Sequence, residues 1–140
     1  MIVPYTQQPA RKSLGQNFLK DRNIARKIVA LLETTPEDRI LEIGPGAGAL
    51  TEFLLDTEAR CVAALEKDTF WAHALKQARP ELAVVLGDGI RFPWDTISPG
   101  KDWKIIGNLP YNVASPLMWE MFSRAEGFAR AVFMVQKEVG

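Results

Sequence analysis

Short polar and glycine-rich segments that follow apolar runs carry most of the chemistry that this sequence can offer. In the segment Glu42–Thr51, glycines stand at three alternate positions, Gly44, Gly46 and Gly48. Glycines at this spacing let the backbone turn tightly and let a ligand approach the bare main chain. The preceding run Arg39–Ile43 predicts a buried strand, and apolar residues at helical spacing after the turn predict a helix.

Two ligands suit this glycine turn. Gly44, Gly46 and Ala49 fit the G-x-G-x-x-G/A spacing of dinucleotide-binding sites, a short pattern of low specificity. Glu42 before the first glycine and the additional Gly48 make the turn resemble instead the E-x-G-x-G-x-G turn of S-adenosylmethionine (SAM)-dependent methyltransferases. We therefore favour SAM as the ligand, with a nicotinamide dinucleotide and a purely structural turn as the alternatives.

Two acidic residues end the next two predicted strands. Glu66 closes the apolar run Cys61–Glu66 and lies 22 residues after Gly44, where a βαβ unit brings a carboxylate to the hydroxyls of a ribose. Asp88 follows the run Leu82–Leu86 between two glycines and could accept a hydrogen bond from an adenine amino group. The alternatives are a solvated carboxylate at Glu66 and an ordinary Asp-Gly turn at Asp88.

The tetrapeptide Asn108-Leu109-Pro110-Tyr111 follows a fourth predicted strand, Trp103–Gly107. An exocyclic base amine is a poor nucleophile because its lone pair is delocalised into the ring. The amide oxygen of Asn108 and the carbonyl oxygen of Leu109 could each accept one of its N–H hydrogens and so favour a nucleophilic geometry. Pro110 would stiffen the turn, and the ring of Tyr111 would stack on an extruded base.

Strands that alternate with helices predict an α/β fold in which a doubly wound, mainly parallel sheet carries helices on both faces. The carboxyl ends of parallel strands meet at one edge of the sheet, and ligands bind there. We therefore expect Gly44, Glu66, Asp88 and Asn108 to converge on one Rossmann-like site.

Apolar periodicity also predicts the elements around this site. Asp21 is expected to cap a helix that carries Leu31 on its apolar face, and Asp68 is expected to cap a second helix. Pro116 is expected in the first turn of a helix that follows Tyr111. A fifth strand, Ala131–Val135, completes the predicted sheet.

The composition is that of one globular domain, with 140 residues of which 47% are hydrophobic and 24% charged. No apolar run approaches the roughly 20 residues of a membrane span and no signal-peptide core is present, so we expect a cytoplasmic protein. The single cysteine, Cys61, excludes an internal disulfide and a multi-cysteine metal site, and we expect it in the core. The net charge is zero, but the first 30 residues carry +5, which fits either a basic arm on a phosphate backbone or a solvated helix face.

Four ordered motifs resemble the KsgA-type ribosomal RNA adenine dimethyltransferases. The motifs are Arg11–Leu19, Glu42–Gly46, Asn108–Tyr111 and Phe133–Val139, so the resemblance covers the chain from about residue 11 onward. It implies that two methyl groups pass from SAM to each of two adjacent adenines in the 16S RNA of the small ribosomal subunit, during ribosome biogenesis. It also implies that SAM is bound by Asn17, Leu19, Gly44, Gly46, Glu66, Asp88 and Asn108.

Residues 1–20 show no helical or strand periodicity and are expected to form a basic arm or lid. The resemblance implies that their Gln-Asn-Phe-Leu segment lies over the methionine part of SAM. Arg11 and Lys12 in this arm are candidate RNA contacts. Residues 21–140 are expected to form a partial methyltransferase domain, since family members add two further strands and a small helical domain that helps to grip RNA. We therefore expect an N-terminal fragment whose RNA affinity and turnover are open questions.

Relatives of this family provide the competing functions. Erm-type enzymes methylate an adenine of 23S RNA and share the same motifs, although Leu109 and the Leu14-Gly15-Gln16-Asn17 context favour the KsgA type. Other relatives on the same fold are non-catalytic RNA-binding factors, and intact Asn108 and Tyr111 argue against that function. A nicotinamide-dependent oxidoreductase would leave the tetrapeptide without a role.

Overall fold

Strands and helices alternate along the part of the chain that the computed structural model describes, residues 21–96, 103–125 and 127–136. The helices there are α1 (Arg22–Ala30), α2 (Thr51–Leu55), α3 (Thr69–Ala78) and α4 (Tyr111–Arg124), with a 3-10 helix at Trp94–Thr96. The strands are β1 (Arg39–Ile43), β2 (Cys61–Glu66), β3 (Ala83–Leu86), β4 (Trp103–Pro110) and β5 (Arg130–Gln136). β1 and β2 have the predicted bounds.

The five strands form one parallel sheet in the order β3-β2-β1-β4-β5. Ile43, the last residue of β1, is in register with Leu65 of β2 on one side and with Gly107 of β4 on the other. The chain moves outward from β1 to β3, then returns to place β4 on the other side of β1. In sheets of this kind, the crevice beside such a reversal is the usual ligand position.

Alternate strand residues face two separate apolar layers, as a doubly wound sheet requires. On one face, Leu41 and Ile105 pack with α4 and with the fully buried Trp94. On the other face, Ile40 and Ile106 pack with α1 and α2. Each such buried side chain stabilises the fold by about 1.5–3 kcal/mol through the area it removes from water. The predicted α/β class with helices on both faces is confirmed.

A buried ion pair ties the sheet to the end of α1. The ammonium of Lys104 lies 2.8 Å from Asp38 Oδ2 and donates to the carbonyl oxygens of Leu32 and Glu33 at 2.8 and 2.9 Å. Burial opposes ionisation of Asp38, but the hydrogen bonds from Lys104 and Thr35 outweigh it and lower the pKa of this carboxyl below 3.8. The pair therefore stabilises the fold above pH ~4, and this contribution is lost as the pH falls through the lowered pKa.

Several details of the sequence interpretation were wrong. Leu31 follows the last turn of α1 and is 57% exposed, because the buried face of the helix is formed by residues around Ile28 and Val29. Pro116 lies inside α4, not in its first turn, because β4 runs to Pro110 and the helix starts directly after it. Cys61 is only half-buried, since it is the first residue of β2 at the rim of the sheet.

Lys104→Met should lower the free energy of unfolding by about 3–5 kcal/mol, because it leaves Asp38 and two carbonyl oxygens buried without their cation. Urea unfolding at pH 7 measures this change. The control is Glu33→Gln, which removes only the exposed ion pair between Glu33 and Arg130 at 3.1 Å and should cost about 1 kcal/mol or less. Equal, small effects of the two substitutions would contradict a stabilising role for the buried pair.

Candidate functional site

A cleft of about 320 Å³ opens at the carboxyl edge of the sheet, between the turn after β1 and the ends of β2, β3 and β4. Its volume lies in the range of roughly 300–1,000 Å³ that is usual for small-molecule sites. Seven of the residues singled out in the sequence line it: Gly44, Gly46, Glu66, Asp88, Asn108, Leu109 and Pro110. The structure thus brings together the strand ends that the sequence predicted would meet.

The glycine turn presents main chain to this cleft. Gly44, Gly46 and Gly48 have φ values of +66°, +54° and +91°, in the left-handed region that residues with a Cβ rarely adopt. The amide of Gly44 also donates to Leu65 O at 2.9 Å, which holds the start of the turn against β2. We expected the helix to start at this turn, but α2 begins only at Thr51, so the turn itself and not a helix end borders the cleft.

Glu66 joins two loops at the floor of the cleft. Its Oε1 accepts a hydrogen bond from the amide of Gly46 at 3.0 Å, and its Oε2 accepts one from the amide of Asp68 at 2.9 Å. The side chain is buried, and it also lines the cleft. Each carboxylate oxygen has a second lone pair, so Glu66 can still accept hydrogen bonds from a ligand hydroxyl.

Glu42 lies directly behind the glycine turn and is 2% exposed. Its carboxyl accepts a hydrogen bond from the hydroxyl of Thr51, which is also buried. Burial raises the pKa of Glu42 to about 8, the Thr51 hydrogen bond opposes this shift, and the charge of Glu66 adds to it. At pH 7 the carboxyl of Glu42 is therefore mainly protonated.

Asp88 sits in a loop that packing holds in place. Its Oδ1 accepts from the amide of Ile90 at 3.0 Å, which forms a local turn. The indole N–H of Trp94 donates to Gly89 O at 2.8 Å, and a Cβ built on Gly89 would lie only 2.8 Å from Leu117. Gly89 thus lets the loop pack closely against α4, which helps to fix the position of Asp88.

The tetrapeptide is divided between the cleft and the surface. Asn108 and Leu109 belong to β4, where they are in register with Met134 and Val135 of β5, and the side-chain oxygen of Asn108 is buried. Pro110 has extended backbone and is the N-cap of α4. Tyr111 is 62% exposed and lies outside the cleft lining, so it marks the rim of the site.

Apolar residues of the cleft were missed because their patterns indicated only packing. Trp71 of α3 and Val113 and Leu117 of α4 line it, and in the sequence they are indistinguishable from other members of a buried helix face. Asn17, Leu19, Arg11 and Lys12 lie outside the described residues. Within the described ranges, no group of His, Cys, Asp and Glu could hold a metal ion, and no helix there is long and apolar enough to cross a membrane.

The sequence profile of the ribosomal RNA adenine dimethylase family matches residues 7–140, which is nearly the whole chain. This chain belongs to that family. A relative from Oleidesulfovibrio alaskensis, named ribosomal RNA small subunit methyltransferase A, is 56% identical over 94% of this chain and 48% of its own length. The chain spans about half the length of the curated relatives it matches.

Solved structures of adenine dimethylase relatives share the fold described above. The dimethyladenosine transferase from Plasmodium falciparum has a TM-score of 0.71 at 30% identity, covering 84% of this chain and 42% of that one. The 23S rRNA methyltransferase ErmE has the same TM-score at 28% identity, with 84% and 47% covered. The Rossmann-like methyltransferase fold expected from the sequence is confirmed.

The raised pKa of Glu42 predicts a pH-dependent stability. The folded chain keeps a proton at Glu42 that the unfolded chain releases near pH 4.5, so the stability from this proton is complete below pH 4.5 and is lost as the pH rises through about 8. Glu42→Gln mimics the protonated acid at every pH. It should raise Tm relative to the unaltered chain by a margin that grows up to about pH 8, to roughly 10–20 °C at pH 9.

Thermal unfolding followed by circular dichroism at pH 5, 7 and 9 measures this margin. Glu81→Gln, which alters an exposed carboxylate before β3, is the control and should leave Tm unchanged at each pH. A difference between Glu42→Gln and the unaltered chain that stays constant from pH 5 to pH 9 would show that Glu42 is ionised in the folded protein.

Proposed function

We propose that this chain forms the SAM-binding part of a KsgA-type ribosomal RNA adenine dimethyltransferase. The enzyme methylates the exocyclic amines of two adjacent adenines in the 16S RNA of the small ribosomal subunit, in the cytoplasm, during ribosome biogenesis. The observation that carries the proposal is the cleft in which the glycine turn, two strand-end carboxylates and Asn108 meet. The family and the names of the curated relatives support the same activity.

The cleft has the chemistry that SAM requires. The main chain of Gly44 and Gly46 is accessible to a ligand, and the carboxylates of Glu66 and Asp88 provide acceptors for ribose hydroxyls and an adenine amino group. Trp71 and Leu117 give apolar walls between these polar groups. SAM, when bound, supplies an activated methyl group on a positively charged sulfur, and a cation is favoured beside the ionised carboxylates of the cleft.

The residues at the end of β4 act on the acceptor adenine. Asn108 and Leu109 provide oxygens that accept the two N–H hydrogens of the amine and direct its lone pair toward the methyl group. The exposed ring of Tyr111 at the rim offers a surface for the extruded base. Because SAM carries its own leaving group, the chain contributes mainly orientation and electrostatic stabilisation.

An Erm-type activity on 23S RNA is the second candidate, because ErmE and the dimethyladenosine transferase have equal TM-scores against this chain. Fold similarity therefore does not decide which ribosomal subunit is the substrate. Curated relatives at 40–56% identity carry the small-subunit name, which supports the 16S assignment. Methylation assays on isolated small and large subunits distinguish the two functions.

Asp88→Asn should weaken SAM binding by about tenfold, as expected for loss of one hydrogen-bond acceptor at a charged group. The amide keeps an oxygen for the local turn with Ile90 but replaces the other carboxylate oxygen with a donor. Isothermal titration with SAM measures the change, and NADH is the control ligand. The matched variant is Asp95→Asn, at an exposed carboxylate paired with Arg124, which should bind SAM normally. Unchanged affinity in Asp88→Asn would remove Asp88 from the site.

Asn108→Ala should reduce methyl transfer at least 100-fold while SAM remains bound, because the acceptor amine loses an oriented hydrogen-bond acceptor. The assay follows labelled methyl groups from SAM into small-subunit RNA, and titration confirms cofactor binding. Asn112→Ala alters the same residue type at an exposed position one residue into α4, and should retain activity. Full activity of Asn108→Ala would refute the role assigned to the tetrapeptide.

A further inference from the structure

α1 carries a positively charged surface that the proposed cofactor site does not use. Arg22, Arg26 and Lys27 are exposed, and no acidic residue lies between positions 22 and 30. The opposite side of the helix is buried through Ala25, Ile28 and Val29. The helix therefore separates an apolar side that packs on the sheet from a basic side that faces solvent.

Two of these cations are held on one aromatic ring. The guanidinium carbons of Arg22 and Arg26 lie 5.0 and 5.2 Å from the ring centroid of Phe53 in α2, within cation–π distance. Arg22 also donates to Glu52 at 3.1 Å. Among the described residues, no carboxylate is paired with Arg26. The cluster Arg22–Arg26–Phe53 thus holds two guanidinium groups side by side, with Glu52 and Asp56 stabilising the charge of Arg22 and with Arg26 in contact with the ring.

This arrangement is unfavourable for the helix itself. Arg22 is the first residue of α1, where the positive end of the helix dipole disfavours a cation. Arg22 and Arg26 are also four residues apart, a spacing at which like charges repel on a helix surface. Natural sequences depart from such local preferences mainly at functional sites. Glu52 already offsets the charge of Arg22, so an additional negatively charged partner would act mainly at Arg26.

The cluster lies toward the end of the sheet at which the cleft opens. The last turn of α1 is tied to the beginning of β4, because Lys104 Nζ donates to Leu32 O at 2.8 Å. At the other end of α1, Arg22 lies beside Glu52 and Phe53, so the helix extends from the amino edge of the sheet toward α2. Phe53 belongs to α2, the helix that directly follows the glycine turn.

We propose that Arg22 and Arg26, held by Phe53, contact the phosphate backbone of the RNA substrate beside the cleft. The inference rests on the proposed function and names a contact surface for its substrate. Guanidinium groups bind phosphate oxygens in paired hydrogen bonds, and stacking on an aromatic ring leaves their N–H edges available. RNA is a partner with repeated phosphates, which suits two adjacent guanidinium groups better than a single free anion does.

The test measures binding of the 140-residue chain to an RNA hairpin with two adjacent adenines in its loop, at several salt concentrations. The double variant Arg22→Gln/Arg26→Gln should lower affinity and reduce the slope of log K against log salt by about 1.4, since each contact to a single strand contributes about 0.7. Lys27→Gln removes one charge from the same helix away from Phe53 and is the matched control, with little change expected. Phe53→Leu keeps the apolar contact but not the ring, and should weaken RNA binding with both arginines present.

The same samples are titrated with SAM, which separates this inference from the proposed function. The double variant should bind SAM with unchanged affinity, and absence of SAM binding in the unaltered chain would refute the proposed function itself. The inference is overturned if the unaltered chain binds SAM but not the hairpin, or if Lys27→Gln and the double variant have equal effects. It is also overturned if polyglutamate displaces the hairpin as well as poly(A) does at equal charge, which would indicate an acidic protein as the partner.

Discussion

The hydrogen bonds that Glu66 accepts hold the cleft together. One carboxylate oxygen binds the amide of Gly46 in the turn after β1, and the other binds the amide of Asp68 in the loop after β2. Both amides lie between a strand and the next helix, so neither has a partner within regular secondary structure. Because the side chain of Glu66 accepts hydrogen bonds from both amides, the two loops are fixed relative to each other. The glycine turn can therefore be accessible to a ligand and still have a defined conformation.

The position of Glu66 at the floor of the cleft places it near a second buried acid, Glu42. Glu42 and Glu66 are both buried, and two ionised carboxylates there would repel each other strongly. Burial, with a smaller contribution from the charge of Glu66, raises the pKa of Glu42 to about 8, so this acid stays protonated at neutral pH. The remaining negative charge of Glu66 and Asp88 at the cleft gives an electrostatic reason for a cationic ligand.

The sequence was most informative about the candidate site residues that lie at the ends of strands. Short apolar runs predicted the strands, and the rule that parallel strands share a carboxyl edge then predicted that Gly44, Glu66, Asp88 and Asn108 would meet. Contacts between distant segments were not predictable, because Lys104 finds Asp38 and Leu32 only after folding, and a lone lysine in a strand gives no sign of burial. The position of Trp71 in the cleft was not predictable either, since helical spacing does not show which buried side chain borders a cavity.

The net charge of the sequence differs in its meaning from the distribution of charged side chains on the folded chain. A total charge of zero, taken alone, argues against nucleic acid as a partner. In the folded chain, Glu66 and Asp88 lie at the cleft, whereas Arg22, Arg26 and Lys27 are exposed on α1. A cationic cofactor and a polyanionic substrate need opposite potentials at neighbouring surfaces. A chain that provides both an acidic and a basic surface can have a net charge of zero. The zero net charge of this chain is therefore compatible with RNA binding.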